Sequence, residues 1–363
     1  MFLRKKRKLT LVMAIILVMS LLAACGNGGG GGGTQPPAGG DNGGAAPADT
    51  VVMRLASNAP VGHMSHDINL EVVRLVYERT EGRVRIDYFP GGQLGDYTTV
   101  YEEVMMGVID FMHGTVPDTI DPRLGVPYMP YFSLGFEDVY ELYGEGSFLY
   151  NLMYEATAAQ RVEFLGFVIE GFIGLGAVAT PDNELVPGAP KNVNMRVPGA
   201  LVALVYPMQD LGFHTVGIPF AEAAAAIHAG VVDGWNGGTP NMNYLWVGDI
   251  ITTMYVNYMH VECTAFVGSR MALDRLDPVD RDIVTGVFRE MSRASFGIAE
   301  ENERYFIGRL EAAGVRVVEF TYEQRMEHAS FIREVTWPRL AEVFTEELVE
   351  QLRVEAARVQ GGF

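Results

Sequence analysis

One phrase occurs twice in the chain, and it narrows the choice of fold more than any other feature. Gly107-Val108-Ile109-Asp110-Phe111-Met112-His113-Gly114-Thr115-Val116-Pro117 is echoed 123 positions later by Gly230-Val231-Val232-Asp233-Gly234-Trp235-Asn236-Gly237-Gly238-Thr239-Pro240. Gly, Val, Asp, Gly and Pro agree in register. Each copy closes an alternation of strands and helices. In the first, residues 51–57 are β-branched and apolar, as strands are. Ile68, Val72, Leu75 and Val76 recur at helical spacing within 63–80, and Gly82 ends that helix. Residues 83–88 alternate as a strand, 98–106 read as a helix and 108–112 as a strand. In the second, a strand over 193–197 leads into a helix from Gly199, followed by strand 214–218, helix 220–229 and strand 231–235. Two such series predict an α/β fold of two lobes, with mostly parallel sheets and helices on their faces. Helix–Gly–strand–Asp is also a common α/β phrase, so pseudo-symmetry is one of two readings of the echo. Ligands of open α/β sheets bind beyond the carboxyl ends of the strands. His113 to Thr115 and Trp235 to Gly238 are therefore expected to face each other across a cleft.

The ends of the chain are of other kinds. Arg4, Lys5, Lys6, Arg7 and Lys8 precede a mostly apolar run over 9–22, and Leu22-Ala23-Ala24-Cys25 closes it. This reads as a secretory signal over 1–24 with a bacterial lipobox, in which Cys25 becomes the lipid-modified mature N-terminus; an uncleaved membrane anchor is the alternative. Either places the body outside the cytoplasmic membrane, on its outer face, at the cell surface or in the periplasm. Residues 26–49 are almost all Gly, Pro, Ala, Asn, Asp and Thr. They bury too little to fold and read as a flexible tether. No later run offers about 18 uninterrupted apolar residues for a membrane span. With Cys25 assigned to the lipid, Cys263 is alone, which excludes a disulfide framework and a cysteine metal site. Net charge is −18, or −23 without the five basic leader residues, and so acidic a body speaks against nucleic acid.

Arg196 is the sharpest candidate for chemistry. It lies between Met195 and Val197, ahead of Pro198, Gly199 and the apolar run 200–205. A guanidinium taken out of water needs a partner. Strand end and expected helix start together form an anion site, since a helix N-terminus presents free N–H groups and arginine a planar fork that fits a carboxylate. A structural Asp or Glu is the other possible partner. Trp235-Asn236-Gly237 stands at an expected strand end, where Trp supplies an apolar wall, Asn both donor and acceptor, and Gly a close approach of backbone. His113 and Thr115 join the candidate set through the echo, and Asn58 follows the first strand. His63 and His66 share a helical spacing, but no HExxH accompanies them, so no metal is expected. No G-x-S-x-G, P-loop or nucleophile–base pair is present, and no enzyme or cofactor is expected.

Asp277-Pro278 opens a helix that runs to about Ala313, punctuated by Gly286, Gly297 and Gly308 and long enough to span two lobes. A strand over 315–320 follows, and Thr321-Tyr322-Glu323-Gln324 reads as a capping box for a last helical region.

Six phrases in order carry a resemblance over about residue 51 to beyond 320. They are Thr80-Glu81-Gly82-Arg83-Val84-Arg85-Ile86, Phe89-Pro90-Gly91-Gly92-Gln93-Leu94-Gly95, Gly107-Val108-Ile109-Asp110, Pro127-Tyr128-Met129-Pro130-Tyr131-Phe132, Asn194-Met195-Arg196-Val197-Pro198 and Gly230-Val231-Val232-Asp233-Gly234. The chain resembles the extracytoplasmic solute receptors of tripartite ATP-independent periplasmic (TRAP) transporters, the DctP family. The resemblance implies lobe I over 51–173 and about 264–300, and lobe II over 174–263 and about 301–363, with hinge strands between them. It implies that Arg196 holds the carboxylate of a small organic acid, that Asp233-Gly234-Trp235-Asn236 lines the site, and that a membrane-embedded TRAP permease receives the ligand. Many relatives carry a second arginine in the segment written here Gly171-Phe172-Ile173-Gly174-Leu175-Gly176-Ala177, and this chain has none. A monocarboxylate is expected for that reason. An ABC-type or chemoreceptor-linked receptor, and in another class a surface-tethered hydrolase, are the competing readings.

Overall fold

The computed structural model describes residues 50–199 and 201–361; the expected signal, Cys25 and nearly all of the tether lie outside the described residues. The first series is β1 (Val51–Ser57), α1 (Met64–Arg79), β2 (Val84–Phe89), α2 (Tyr97–Met105) and β3 (Phe111–Gly114), with β1 parallel to both β2 and β3. A 3-10 turn, Pro122–Tyr128, and helices α3 (Phe136–Tyr143) and α4 (Phe148–Ala158) lead into β4 (Val162–Ala177). The second series is β5 (Asn194–Val197), α5 (Val202–Asp210), β6 (His214–Gly217), α6 (Ala223–His228) and β7 (Gly234–Asn236), with β5 parallel to β6 and β7. Then come α7 (Pro240–Val247), β8 (Thr253–Ser269), α8 (Arg270–Leu273), α9 (Pro278–Ala312), β9 (Arg316–Glu319), α10 (Tyr322–Phe344) and α11 (Glu346–Gln360).

The strands run in the order β2-β1-β3-β8-β4-β7-β5-β6, with β9 added to β8. Both ends of that order are parallel, as the βαβ pattern requires. The middle is not: β4 and β8 pair antiparallel from Val162↔Ser269 to Ala177↔Thr253 and join the two series. These two long strands are the hinge strands of a two-lobed α/β architecture. A separate cluster of buried side chains that includes Trp235, Val247, Met254 and Leu310 fills part of the second lobe.

The echo is real in three dimensions, although its strands begin three residues later than periodicity predicts. Gly107 and Gly230 take φ +73° and +68°, the left-handed conformation that ends a helix and favours glycine. Val108 N–H then reaches Glu103 O, and Val231 N–H reaches Ala226 O, both at 2.9 Å. These wrap-back bonds hold 107–110 and 230–233 in turns, so neither segment pairs until Phe111 and Gly234. Asp110 closes the turn by accepting from Arg54 N–H at 2.6 Å, and Asp233 does the same from Asn194 N–H at 2.8 Å. In each lobe the aspartate thus clamps the turn to the neighbouring parallel strand.

A second difference concerns the helix after Arg196. It starts at Val202, with Leu201 as a cap that contributes no side-chain bond, rather than at Gly199. Pro198-Gly199 keeps the chain out of the helix first. The Val202 N–H moreover acts on the Asp118 carboxylate, lowering its pKa against the rise that burial causes. This helix end is therefore already faced by a protein acid.

The long helix matches its reading, with Asp277 accepting from Val279 N–H at 2.9 Å, and its three glycines do not interrupt it. The Thr321 capping box is present in both directions. Helix α9 lies against β4 where that strand is irregular. Register shifts fall at Phe164/Gly166, Ile169/Gly171 and Ile173/Leu175. Bulges leave backbone groups without ladder partners, and α9 supplies replacements. Ser292 Oγ donates to Phe167 O at 2.6 Å, Ile169 N–H donates to Ser295 Oγ at 2.9 Å, and Phe172 N–H donates to Glu303 Oε2 at 2.7 Å. A Cβ on Gly171 would stand 2.5 Å from Glu303 Oε2, so glycine is what allows that approach.

Candidate functional site

A cavity of about 70 Å³ opens at the carboxyl ends of the parallel strands. From the first series it takes Ser57, Asn58, His113 and Thr115 at or just past the ends of β1 and β3, and Tyr97 at the start of α2. From the second it takes Phe220, Gly238 and Met242. The hinge strands contribute Glu170, Glu262 and Thr264. The cleft expected from the echo is thus formed, with one wall from each lobe and the hinge strands behind.

Arg196 stands one residue back from this wall. It is 1% exposed. Its Nε donates to Ile218 O at 2.7 Å, two residues before wall residue Phe220. A Cβ on Gly237 would lie 3.1 Å from Nη1, and Gly238 is the next residue and part of the wall. Nη2 is buried with no hydrogen-bond partner among the described residues. No described carboxylate comes within ion-pair distance; Tyr97 and Asp96 are the groups whose charge bears on it. Burial pulls its pKa down to about 10, against the pull of Tyr97 and Asp96, which leaves it a cation at physiological pH. Asp96 caps α2 through Oδ1, and its Oδ2 is also buried without a partner.

The hinge-strand wall is acidic. Gly171 pairs with Glu262, and the bulge between Ile169 and Gly171 makes Glu170 the inserted residue beside it. Glu170 Oε1 accepts from Ser65 Oγ at 2.5 Å and from Thr264 Oγ1 at 2.8 Å. Glu262 Oε1 accepts from the Tyr128 hydroxyl at 3.1 Å. Glu262 is pushed up to about 8, first by burial and then by the charge of Glu170, while the Tyr128 bond opposes the rise. His113 donates its Nδ1–H to Asn69 Oδ1 at 2.8 Å, its Nε2 meets Thr264 Oγ1 at 3.1 Å, and burial lowers its pKa to about 3. His63 caps α1 by accepting from Ser65 N–H on Nδ1. Burial also lowers its pKa, although Glu170 works the other way. Tyr97 links the two regions. Its hydroxyl is raised to about 12, mainly by burial, and both Arg196 and Glu262 act on it.

The candidate residues therefore separate. Asn58, His113 and Thr115 line the cavity; Arg196 and Gly237 sit immediately behind it. Trp235 does not present a wall to it. The indole is fully buried, stacks on Trp246 with centroids 5.9 Å apart, and donates Nε1–H to Asn243 Oδ1 at 2.7 Å. It shares a face of the sheet with Arg196, its register partner, and supports that side chain from the core. Asn236 is buried as well. Its Nδ2 donates to Leu204 O at 3.2 Å, and its Oδ1 has no partner among the described residues. His66 turns to Tyr88 instead of joining His63. Reading the sequence missed Glu170, Glu262, Thr264 and Tyr97. A lone glutamate inside each of the apolar runs 164–169 with 172–177 and 253–269 was the available signal, because a carboxylate there has no water to face.

Comparison with known proteins agrees with this geometry. Residues 55–342 match the model of the DctP family, bacterial extracellular solute-binding protein, family 7. The sialic acid-binding periplasmic protein SiaP of Vibrio cholerae is 19% identical over 275 residues, covering 73% of this chain and 82% of that one. Protein YiiZ of Salmonella typhimurium is 24% identical over 251 residues, covering 66% and 72%. Among solved structures, the sugar acid binding protein of Advenella mimigardefordensis in complex with galactonate aligns with a TM-score of 0.77 at 16% identity, covering 86% of this chain and 99% of that one. A TRAP periplasmic solute binding protein of Desulfovibrio salexigens with bound orotic acid aligns at 0.74 and 16% identity, covering 85% and 99%. The chain belongs to family 7 of the bacterial extracellular solute-binding proteins, the DctP receptors of TRAP transporters, and is a solute receptor rather than an enzyme.

Proposed function

We propose that this receptor captures a small organic acid in the cavity and seats its carboxylate on Arg196. The buried, unbonded Nη2 of Arg196 carries the reading, because a cation so placed lacks the anion that would offset its desolvation. Binding draws the lobes together on the β4–β8 hinge and removes both charges from water. A TRAP-type permease in the membrane then receives the ligand, and lipidated Cys25 with its tether keeps the receptor near that permease. Galactonate and orotic acid, bound in structurally similar proteins, are small organic acids of this class. The absence of a second arginine in 171–177 favours one carboxylate over two. The test is thermal unfolding of the purified protein against a panel of mono- and dicarboxylates. A monocarboxylate should raise the melting temperature most, and Arg196→Ala should abolish that rise while the protein stays folded. An undiminished rise in Arg196→Ala removes the role given to Arg196.

A further inference from the structure

The acidic wall asks for something a plain carboxylate does not supply. Glu170 and Glu262 stand side by side on paired strands, and both line the cavity. In each, Oε1 is bonded to protein hydroxyls, while Oε2 has no hydrogen bond from any described residue. No described Lys or Arg lies within ion-pair distance of either. Only histidines approach: His63 Nε2 stands 3.7 Å from Glu170 Oε2, and His113 Nε2 stands 3.9 Å from Glu170 Oε1. His63 is an independent sign. It is 0% exposed and lines the cavity, and its Nε2 has no hydrogen-bond partner among the described residues. Its Nδ1 accepts from Ser65 N–H, so the ring proton sits on Nε2, beside Glu170 and too far to bond it. Buried polar groups in a finished site are bonded. Here two carboxyl oxygens wait for donors, the His63 Nε2–H beside them waits for an acceptor atom of the same ligand, which an ammonium does not supply, and an unbonded guanidinium nitrogen waits on the other side. The surroundings of the cavity are thus dipolar, with a cation behind Gly237 and an acid pair on the hinge strands, where burial and Glu170 hold Glu262 at about 8, so that it gives up its proton when a cation arrives between them.

We infer that the ligand is itself dipolar: a carboxylate bearing an ammonium group, with the carboxylate on Arg196 and the ammonium between Glu170 and Glu262. An ammonium has three donors, enough for both free Oε2 atoms. Such charge-assisted bonds are the strong ones in a dry site. A hydroxyl in the same place has one donor and no charge, and leaves an acid oxygen unbonded. The inference rests on the carboxylate–Arg196 reading and adds the second pole.

The test uses matched series of three to six carbons, each with an amino acid, the corresponding hydroxy acid and the unsubstituted acid. Examples are alanine, lactate and propanoate, and 4-aminobutanoate, 4-hydroxybutanoate and butanoate. Affinity is read by calorimetry and thermal unfolding on the wild type and on Glu170→Gln, Glu262→Gln and Arg196→Ala. In at least one series the amino member should bind tenfold or more tightly than its two partners. Glu170→Gln or Glu262→Gln should erase that preference while retaining weak binding of all three, and Arg196→Ala should lose all three. The glutamine variants keep shape and hydrogen bonding, and their unfolding without ligand checks that they fold. If a hydroxy or plain acid binds as well as the amino acid in every series, the ammonium site is wrong and the carboxylate site stands. If no acid of any kind binds the folded wild type, both fail.

Discussion

Arg196 behaves unlike an arginine placed for stability. Removing one partner of a buried ion pair usually costs about 3–5 kcal/mol, because a charge is left behind. Arg196 has no such partner; Arg196→Ala gives up only packing and the Nε–H bond to Ile218 O, and should cost about 1–2 kcal/mol of ligand-free unfolding free energy. A denaturant titration checks this; a loss of several kcal/mol would mark a structural role. Asp96, with its own unbonded Oδ2, is the internal acid best placed to compete for Arg196 when the site is empty. Two buried glutamates, Glu262 and Glu303, contribute to the pH dependence of stability in the same window, and Glu303 lies away from the cavity. Glu303 is 1% exposed, and its pKa is raised to about 8, chiefly by burial, with Glu319 and Glu300 adding and the Phe172 N–H and Arg304 opposing. The folded chain keeps this proton well above the pH at which the unfolded chain loses it. Stability from this group is therefore complete below about 4.5 and declines as pH rises toward 8. Glu303→Gln should flatten that decline, by something on the order of 2–4 kcal/mol across the interval, in unfolding free energies measured from pH 5 to 8. Arg196 could be read from its neighbours because a cation among apolar residues is conspicuous. Glu170 was marked in the same way, as a lone acid in an apolar run, but its place beside Glu262 was not, because the bulge at Ile169/Gly171 decides it.

The elements were legible wherever their instructions are local. The periods of α1 and β1, the Asp277 cap and the Thr321 capping box all appear at or within a few residues of their expected places. The echo is the instructive case. Its glycine–aspartate spacing was visible, but its role as a turn clamped to a neighbouring strand was not, because Arg54 and Asn194 come from elsewhere in the chain. Asp233→Ala should cost about 1 kcal/mol by freeing the Asn194 N–H. Asp110→Ala should cost more, since Arg275 also bonds that carboxylate. Urea unfolding of the two variants compares them directly. Gly171→Ala brings a Cβ against Glu303 in a backbone at φ +121°. It should destabilise by roughly 2 kcal/mol or more, and Gly297→Ala on the open face of α9 should stabilise by up to about 1 kcal/mol instead.

At the scale of the whole molecule, β4, β8 and α9 are long elements that reach from one series to the other, so ligand-driven closure has to bend them. The irregular points lie in β4 at Ile169/Gly171 and Ile173/Leu175 and in β8 near Tyr258, which takes φ +56°. Small-angle scattering should show a smaller radius of gyration when a bound acid is added to the wild type, and no change when it is added to Arg196→Ala. A ligand moves this equilibrium only by its extra affinity for the closed form. Fold class and lobe count could be read directly from the chain, and Arg196 was conspicuous in it, since helix and strand periods, caps, left-handed glycines and a stranded cation are all encoded within a few neighbouring residues. The hinge register, the approach of Asp118 to the start of α5 and the pairing of Glu170 with Glu262 came only with packing. They depend on contacts between residues scores of positions apart, and a single bulge settles which of them meet.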